Sequence, residues 1–435
     1  MSDIAAPCIV PFNYLEDAVA IQDAPDHPMA IHLELQVEGR LDADRLRSAL
    51  KQAAARHPMA RAKVLPAADT DRSWQFEIER DYSIDPVSER EYGSELEIDA
   101  DRDALFNVPV PMDASPPFRV LLAHRAGGGD RLIVNFHHVA GDAIGAVRLL
   151  RSIQRAYAGG SDLDPLIEFQ AARDLHGLLG ISDPEERQRR AEPRWRYLEE
   201  LERDAPARLV PQGADPAGGQ GIVHLALTAD EVREICARRR GGATLNDVLI
   251  AAHHLTYQEW NQRRGEDAGR IGTMMAMNSR PQAWRYDVLG NYTIGGVVTT
   301  RPHERTTFEA TLRAVAVWTG DYKRTQAGAI AVELEAFGRQ PVGVKRAMGA
   351  QFPEAFWEGV LSNLGLLDDF GSFGDGGSVA QLWFTPPVVV QGIAIGAVGL
   401  GERLFIGGRY RRAVFSTQAA QQFLHLYREV LLHAR

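Results

Sequence analysis

The segment from Leu132 to Leu150 constrains the fold more than any other. An apolar run, Leu132-Ile133-Val134, leads into Asn135-Phe136-His137-His138-Val139-Ala140-Gly141-Asp142, and a helix-like stretch from Ala143 to Leu150 follows. It reads as a strand that runs into a tight turn and then into a helix. Two histidines and an aspartate collect where the chain changes direction. A strand end can hold a side chain rigidly and still expose it, which suits a histidine general base. Side chains alternate along a strand, so if strand geometry persists through the pair, His137 and His138 face opposite sides. One is then functional and the other structural. Ligation of one metal by both is disfavoured, and no third ligand stands at a zinc-type spacing, so no metal is expected. Taken alone, the cluster still permits a metal site, a structural cluster or a base.

The neighbouring sequence builds a sheet around this segment. Phe118 to His124, the turn Gly127-Gly128-Gly129-Asp130 and Arg131 to Phe136 read as a hairpin whose second strand delivers the histidines. Ala30 to Glu38 alternates with a period of two, and a further strand is expected from Trp74 to Glu79. Asp42 precedes an amphipathic run, Ala43 to Ala55, which His57-Pro58 terminates. His57 and His124 are expected to be scaffold histidines.

From Gly159 to Gly221 the composition shifts to Pro, Gly and clustered charge around a helix from Pro184 to Arg203. This predicts residues 1–158 and 222–435 as two domains joined by a partly helical connection, 159–221. Two domains also follow from a chain of 435 residues, longer than one core usually supports. In the second part, Ile222 to Leu227, Gly272 to Met277, Val388 to Val398 and Arg403 to Arg409 read as strands. Helices are expected after Thr228 and after Thr244, with Thr244 or Asn246 as cap, and from Thr417 to Leu432. His253-His254 falls inside the second of these and reads as structural.

The net charge of −10 argues against general nucleic-acid binding or adsorption to an anionic membrane. Basic runs at Arg187–Arg196, Arg238–Arg240 and Arg409–Arg412 read as solvated surface or as a dock for a phosphate or acidic partner. Two cysteines, Cys8 and Cys236, imply no disulfide framework, and the expected location is the cytoplasm. The amino-terminal residues do not read as a secretion signal, and the apolar tract Pro386–Leu400 is too short and too strand-like for a membrane span.

The pattern His137-His138-x-x-x-Asp142 resembles the active-site motif of the CoA-dependent acyltransferase superfamily, which includes chloramphenicol acetyltransferase and condensation domains. Three further segments match in order: Thr244-Leu245-Asn246-Asp247, then Arg280-Pro281 with Gly290-Asn291-Tyr292, then Ser362-Asn363-Leu364-Gly365. The resemblance implies an α/β (α+β sandwich) fold of two chloramphenicol-acetyltransferase-like domains with mixed sheets around a central channel. It implies His138 as general base, with His137 supporting. It also implies a structural Asp142 partnered by Arg280, since a buried carboxylate needs a counter-charge to stay ionised. Ser362, Asn363 and Asn291 become candidate channel or oxyanion contacts. No tightly bound cofactor is expected; acyl-CoA or a phosphopantetheinyl acyl carrier would be co-substrate. A small-molecule alcohol or amine would accept the acyl group, an acyl or peptidyl carrier protein could act in trans, and the chain is expected to be a monomer. One departure stands out: Ala143 occupies the place of the motif's usual glycine. It favours the alternative of a non-catalytic, channel-containing binding or scaffold protein.

Overall fold

A computed structural model of the chain describes residues 7–162, 167–175, 183–215, 218–281, 284, 288–325, 334–350, 357–367, 370–388 and 392–434. The leader reading at residues 1–6, residues 389–391 of the apolar tract, and residues 163–166, 176–182 and 216–217 of the connection lie outside these. The strands are β1 (Cys8–Pro11), β2 (Ala30–Glu38), β3 (Ala62–Leu65), β4 (Gln75–Ile78), β5 (Val87–Tyr92), β6 (Phe118–Arg125), β7 (Asp130–His137), β8 (Gln220–Leu227), β9 (Ile271–Asn278), β10 (Thr293–Thr300), β11 (Gly359–Leu366), β12 (Ser378–Thr385), β13 (Ile393–Leu400) and β14 (Arg403–Arg411). They form a five-stranded sheet, β12-β2-β7-β6-β5, a six-stranded sheet, β10-β9-β11-β13-β14-β8, and a small sheet, β1-β4-β3. Both large sheets are mixed, with parallel pairs at β5–β6 in one and at β9–β11 and β11–β13 in the other. The fold is mixed α/β.

Local chemistry explains most of these elements. The Asp42 carboxylate caps the Ala43–Arg56 helix by accepting the Arg45 amide at 2.7 Å. That helix buries Leu46, Ala49, Leu50 and Ala53 in one core with Val147 and Leu150 of the Ala143–Tyr157 helix. Of the two cap residues proposed for the Leu245–Gln262 helix, Thr244 takes the role, in a reciprocal capping box with Asp247. Inside it, His253 and His254 are buried core histidines, His253 Nδ1 facing Thr273 and His254 lying between Thr300 and Thr273. His57 faces Ser152 at 2.7 Å, and His124 lies between Asp130 and Glu89.

β12 is the element that joins the two large sheets. Although late in the chain, within the stretch 222–435, it pairs with β2 and extends the sheet that carries the histidines, with Trp383 opposite Glu34 and Thr385 opposite His32. Without it, the β2 edge would present a row of unpaired backbone groups. Where β12 crosses the second sheet it lies directly on Gly396 of β13 and Gly407 of β14, which are cross-strand partners. A Cβ on either would collide with the Phe384 carbonyl oxygen, so only glycine admits this approach.

One expectation lies partly outside the described residues and another needs correction. Of the strand predicted from Val388 to Val398, the described part is β13 from Ile393, and residues 389–391 lie outside the described residues. The Arg409–Arg412 run is not solvated surface: Arg409 is fully buried and donates to the Ala30 carbonyl at 2.6 Å, while Arg412 pairs with Asp103. The connection is tied to the body on both sides, as Arg173 binds Glu16 at 2.8 Å and the Tyr197 hydroxyl donates to Val297 O at 2.7 Å.

Candidate active site

The β7 strand ends at His137, so His138 is the first residue of the turn rather than the last of the strand. The two rings have different surroundings. His137 is buried; its Nδ1 accepts the Val139 amide at 3.1 Å and its Nε2 lies 3.5 Å from Asp23. That pairing holds the Asp23 carboxyl below its ordinary value against the opposing effect of burial. His138 is half-buried, and its backbone N–H donates to Met29 O at 2.7 Å, anchoring the turn to the chain entering β2.

Asn291 determines how His138 is used. Its Nδ2 donates to His138 O at 2.9 Å and to Val139 O at 2.8 Å. An amide with both donors so committed must present its oxygen elsewhere, and Oδ1 faces His138 Nδ1 at 3.2 Å. Nδ1 therefore carries the hydrogen and Nε2 the lone pair. Burial lowers the His138 pKa from its ordinary value, ahead of the opposing influence of its own backbone and of Asp142. The ring is a neutral imidazole with Nε2 available to take a proton. Both side-chain N–H groups of Asn291, a candidate channel or oxyanion contact, are thus committed to the backbone of the histidine turn.

Asp142 lies at the amino end of the Ala143–Tyr157 helix, where its Oδ1 accepts the Gly145 amide at 2.9 Å. Arg280 binds it bidentately, Nη1 to Oδ2 and Nη2 to Oδ1, both at 2.8 Å. Tyr292 N and Thr293 Oγ1 also donate to Oδ2, at 2.9 and 3.0 Å. Burial pushes the Asp142 carboxyl up, but the Arg280 guanidinium and these amide donors outweigh it and hold the group below the ordinary value. The guanidinium stacks over the Tyr292 ring at 4.3 Å and donates to Gly290 O at 2.9 Å. The pair thus grips Gly290 and Tyr292, the residues on either side of Asn291.

Ser362 and Asn363 stand on β11, where Ser362 pairs with Gly396 of β13. Asn363 Oδ1 accepts the Gly365 amide at 2.9 Å, a local turn at the point where the strand register shifts. Among the described residues neither hydrogen-bonds to His138. The site therefore unites His137, His138, Asp142, Arg280 and Asn291, with Ser362 and Asn363 outside that cluster. Sequence reasoning missed Asp23, a lone acidic residue with no motif around it, and it named Asn291 without the positioning role its contacts reveal.

The condensation-domain family model matches residues 26–327, which span His137, His138, Asp142, Arg280 and Asn291. The chain belongs to the condensation-domain family. Two Mycobacterium tuberculosis relatives of this condensation domain, Rv2305 (strain ATCC 25618 / H37Rv) and MT2362 (strain CDC 1551 / Oshkosh), are 33% identical over 427 residues, covering 96% of this chain and 97% of theirs. Its fold is similar to that of the condensation domain from the monacolin K polyketide synthase MokA, with a TM-score of 0.69 at 15% identity, covering 98% of this chain and 97% of that one. It is also similar to that of the trichothecene 15-O-acetyltransferase TRI3 from Fusarium sporotrichioides, with a TM-score of 0.73 at 14% identity and coverages of 98% and 95%. Both likenesses show that the condensation domain shares its fold with these two proteins.

Proposed function

We propose that this condensation-family protein transfers an acyl group from a thioester to a hydroxyl or amine acceptor, with His138 as general base. The observation that carries the reading is the Asn291-fixed tautomer: a neutral ring whose Nε2 lone pair takes no hydrogen bond among the described residues. In the proposed step the acceptor's heteroatom attacks the thioester carbonyl while its proton passes to Nε2. The tetrahedral oxyanion then collapses, the C–S bond breaks, and the thiolate takes the proton back. A channel between the two sheets would bring donor and acceptor to His138 from opposite sides, so that orientation supplies much of the rate. Ser362 and Asn363 are proposed to line it. His137 and the Asp142–Arg280 pair support the turn rather than touch the reacting atoms.

Acyl-CoA or a phosphopantetheinyl carrier in trans is the proposed donor. A neighbour of this fold is the starter condensation domain of rhizomide synthetase, whose structure holds C8-CoA and Leu-SNAC. We place the protein in natural-product biosynthesis, in the cytoplasm and as a monomer; among the described residues no helix is long and apolar enough to cross a membrane. The alternative, a scaffold without chemistry, drew on Ala143. That residue is the first of a right-handed helix, and among the described residues none but glycine has a positive φ, so alanine fits there without strain. The test is intact-mass detection of acyl transfer from CoA and carrier-bound donors to a panel of alcohols and amines. Replacing His138 by alanine should lower turnover by roughly a hundredfold to ten-thousandfold with the fold intact. Near-normal turnover by that variant would overturn the base assignment, and no turnover by the parent would favour the scaffold.

A further inference from the structure

His32, Glu34 and His224 converge where the two large sheets meet. His32 and Glu34 are two residues apart on β2 and so share a face, and His224 arrives from β8 of the other sheet. Glu34 Oε2 lies 3.5 Å from His32 Nε2 and 3.7 Å from His224 Nε2, and the three atoms all lie within 4.8 Å of one another. Those separations are too long for hydrogen bonds. They are close to the edge of a tetrahedron around zinc, about 3.3–3.4 Å for ligands at 2.0–2.1 Å. Among the described residues none of the three atoms has a hydrogen-bond partner; all are buried, and the His32 and Glu34 side chains are fully enclosed. His32 Nδ1 faces Asn135 Oδ1 at 2.8 Å, which puts the hydrogen on Nδ1 and aims the Nε2 lone pair at the centre. The His224 ring is stacked on Trp383 at 4.5 Å, and burial pushes its pKa down to about 3, leaving it neutral.

From this geometry we propose that His32, Glu34 and His224 bind a divalent cation of the zinc class, which clasps β2 of one sheet to β8 of the other. Two arginines stand close by and must be reconciled with a cation. Arg102 forms an ion pair with Glu34 Oε2 at 3.6 Å but gives its hydrogen bonds to Asp99, Asp103 and Ile222 O, so that Oε2 accepts no hydrogen bond among the described residues. Arg131 takes the opposite oxygen, Oε1, and is paired with Glu95. A cleft of about 1010 Å³ lined by His224, Trp383, Arg102 and Arg131 leads to the cluster and gives an ion and its fourth, exchangeable ligand a way in.

The test uses the full chain without an affinity tag, freed of metal by chelator dialysis and titrated with Zn²⁺ by calorimetry and with Co²⁺ by visible absorption. The expected result is one equivalent of Zn²⁺, a tetrahedral Co²⁺ spectrum, and a thermal midpoint raised by Zn²⁺. His224→Ala should abolish these, Asn135→Ala should weaken binding by roughly ten- to a hundredfold, and His303→Ala, at an exposed histidine, should change nothing. Absence of stoichiometric binding by the parent, or binding that survives His224→Ala, would overturn the proposal. The Co²⁺ spectrum of the parent decides the matter even if a variant fails to fold. Because every readout is binding or stability, the result is independent of the acyl-transfer reading.

Discussion

Replacing Arg280 by methionine tests the central clamp of the site. Both side chains of the Asp142–Arg280 pair are at most 2% exposed, and the variant removes two charged hydrogen bonds of 2.8 Å from the carboxylate. At roughly 1.5–3 kcal/mol for each bond to a charged group, the loss is about 3–6 kcal/mol, in line with the roughly 3–5 kcal/mol typical of breaking a buried pair. Gly145 N, Tyr292 N and Thr293 Oγ1 still solvate Asp142, so the lower end, about 3 kcal/mol, is expected. The pH dependence follows from the depressed Asp142 value. Its contribution is present above the unfolded carboxyl value of about 3.9 and is lost as pH falls through the lower folded value, so parent and variant should converge in acid. Urea unfolding of the parent, Arg280→Met, Asp142→Asn and the double variant gives the coupling, which should exceed about 1 kcal/mol. If Arg280→Met unfolds within about 0.5 kcal/mol of the parent at neutral pH, as an ordinary surface change would, the clamp reasoning is wrong.

Three further outcomes follow from the same geometry. Asn291→Ala should lower kcat by about a hundredfold with little change in KM, since it frees the His138 tautomer, and should cost about 1–3 kcal/mol of stability because the His138 and Val139 carbonyls lose their donor; steady-state kinetics beside a thermal melt checks it. The acid limb of kcat/KM should lie below the ordinary histidine value of about 6.5, because burial depresses the His138 pKa and activity needs the neutral ring, and Asn291→Asp should move that limb to higher pH. Gly407→Val should destabilise the protein by about 1–3 kcal/mol or more by pushing β12 off the second sheet, and a melting temperature equal to the parent's would contradict the close approach.

Much of the local structure could be read from the chain because it is decided by neighbours in sequence. The predicted Pro184–Arg203 helix has the observed bounds, with Asp183 as cap and proline at its first position. The β6–β7 hairpin and the helix starts at Asp42 and Thr244 likewise follow from alternation and from cap chemistry within a few residues. The histidines, Asp142 and Arg280 could be singled out because residue type and spacing mark them before any contact is known. Only the tertiary structure decided what the residues do to one another. Asn291 orients His138 across a sequence separation of 153 residues, and no periodicity carries that information. The pairing of β12 with β2 depends on an open sheet edge and two facing glycines, neither of which is visible in a strand's own composition. His32 and Glu34 read as the mixed residues of an ordinary alternating strand until β8 brings His224 to them. Short-range propensity writes strands, caps and turns into the chain; the proton-bearing nitrogen of a histidine and the neighbours of a buried carboxylate are settled only when distant segments pack.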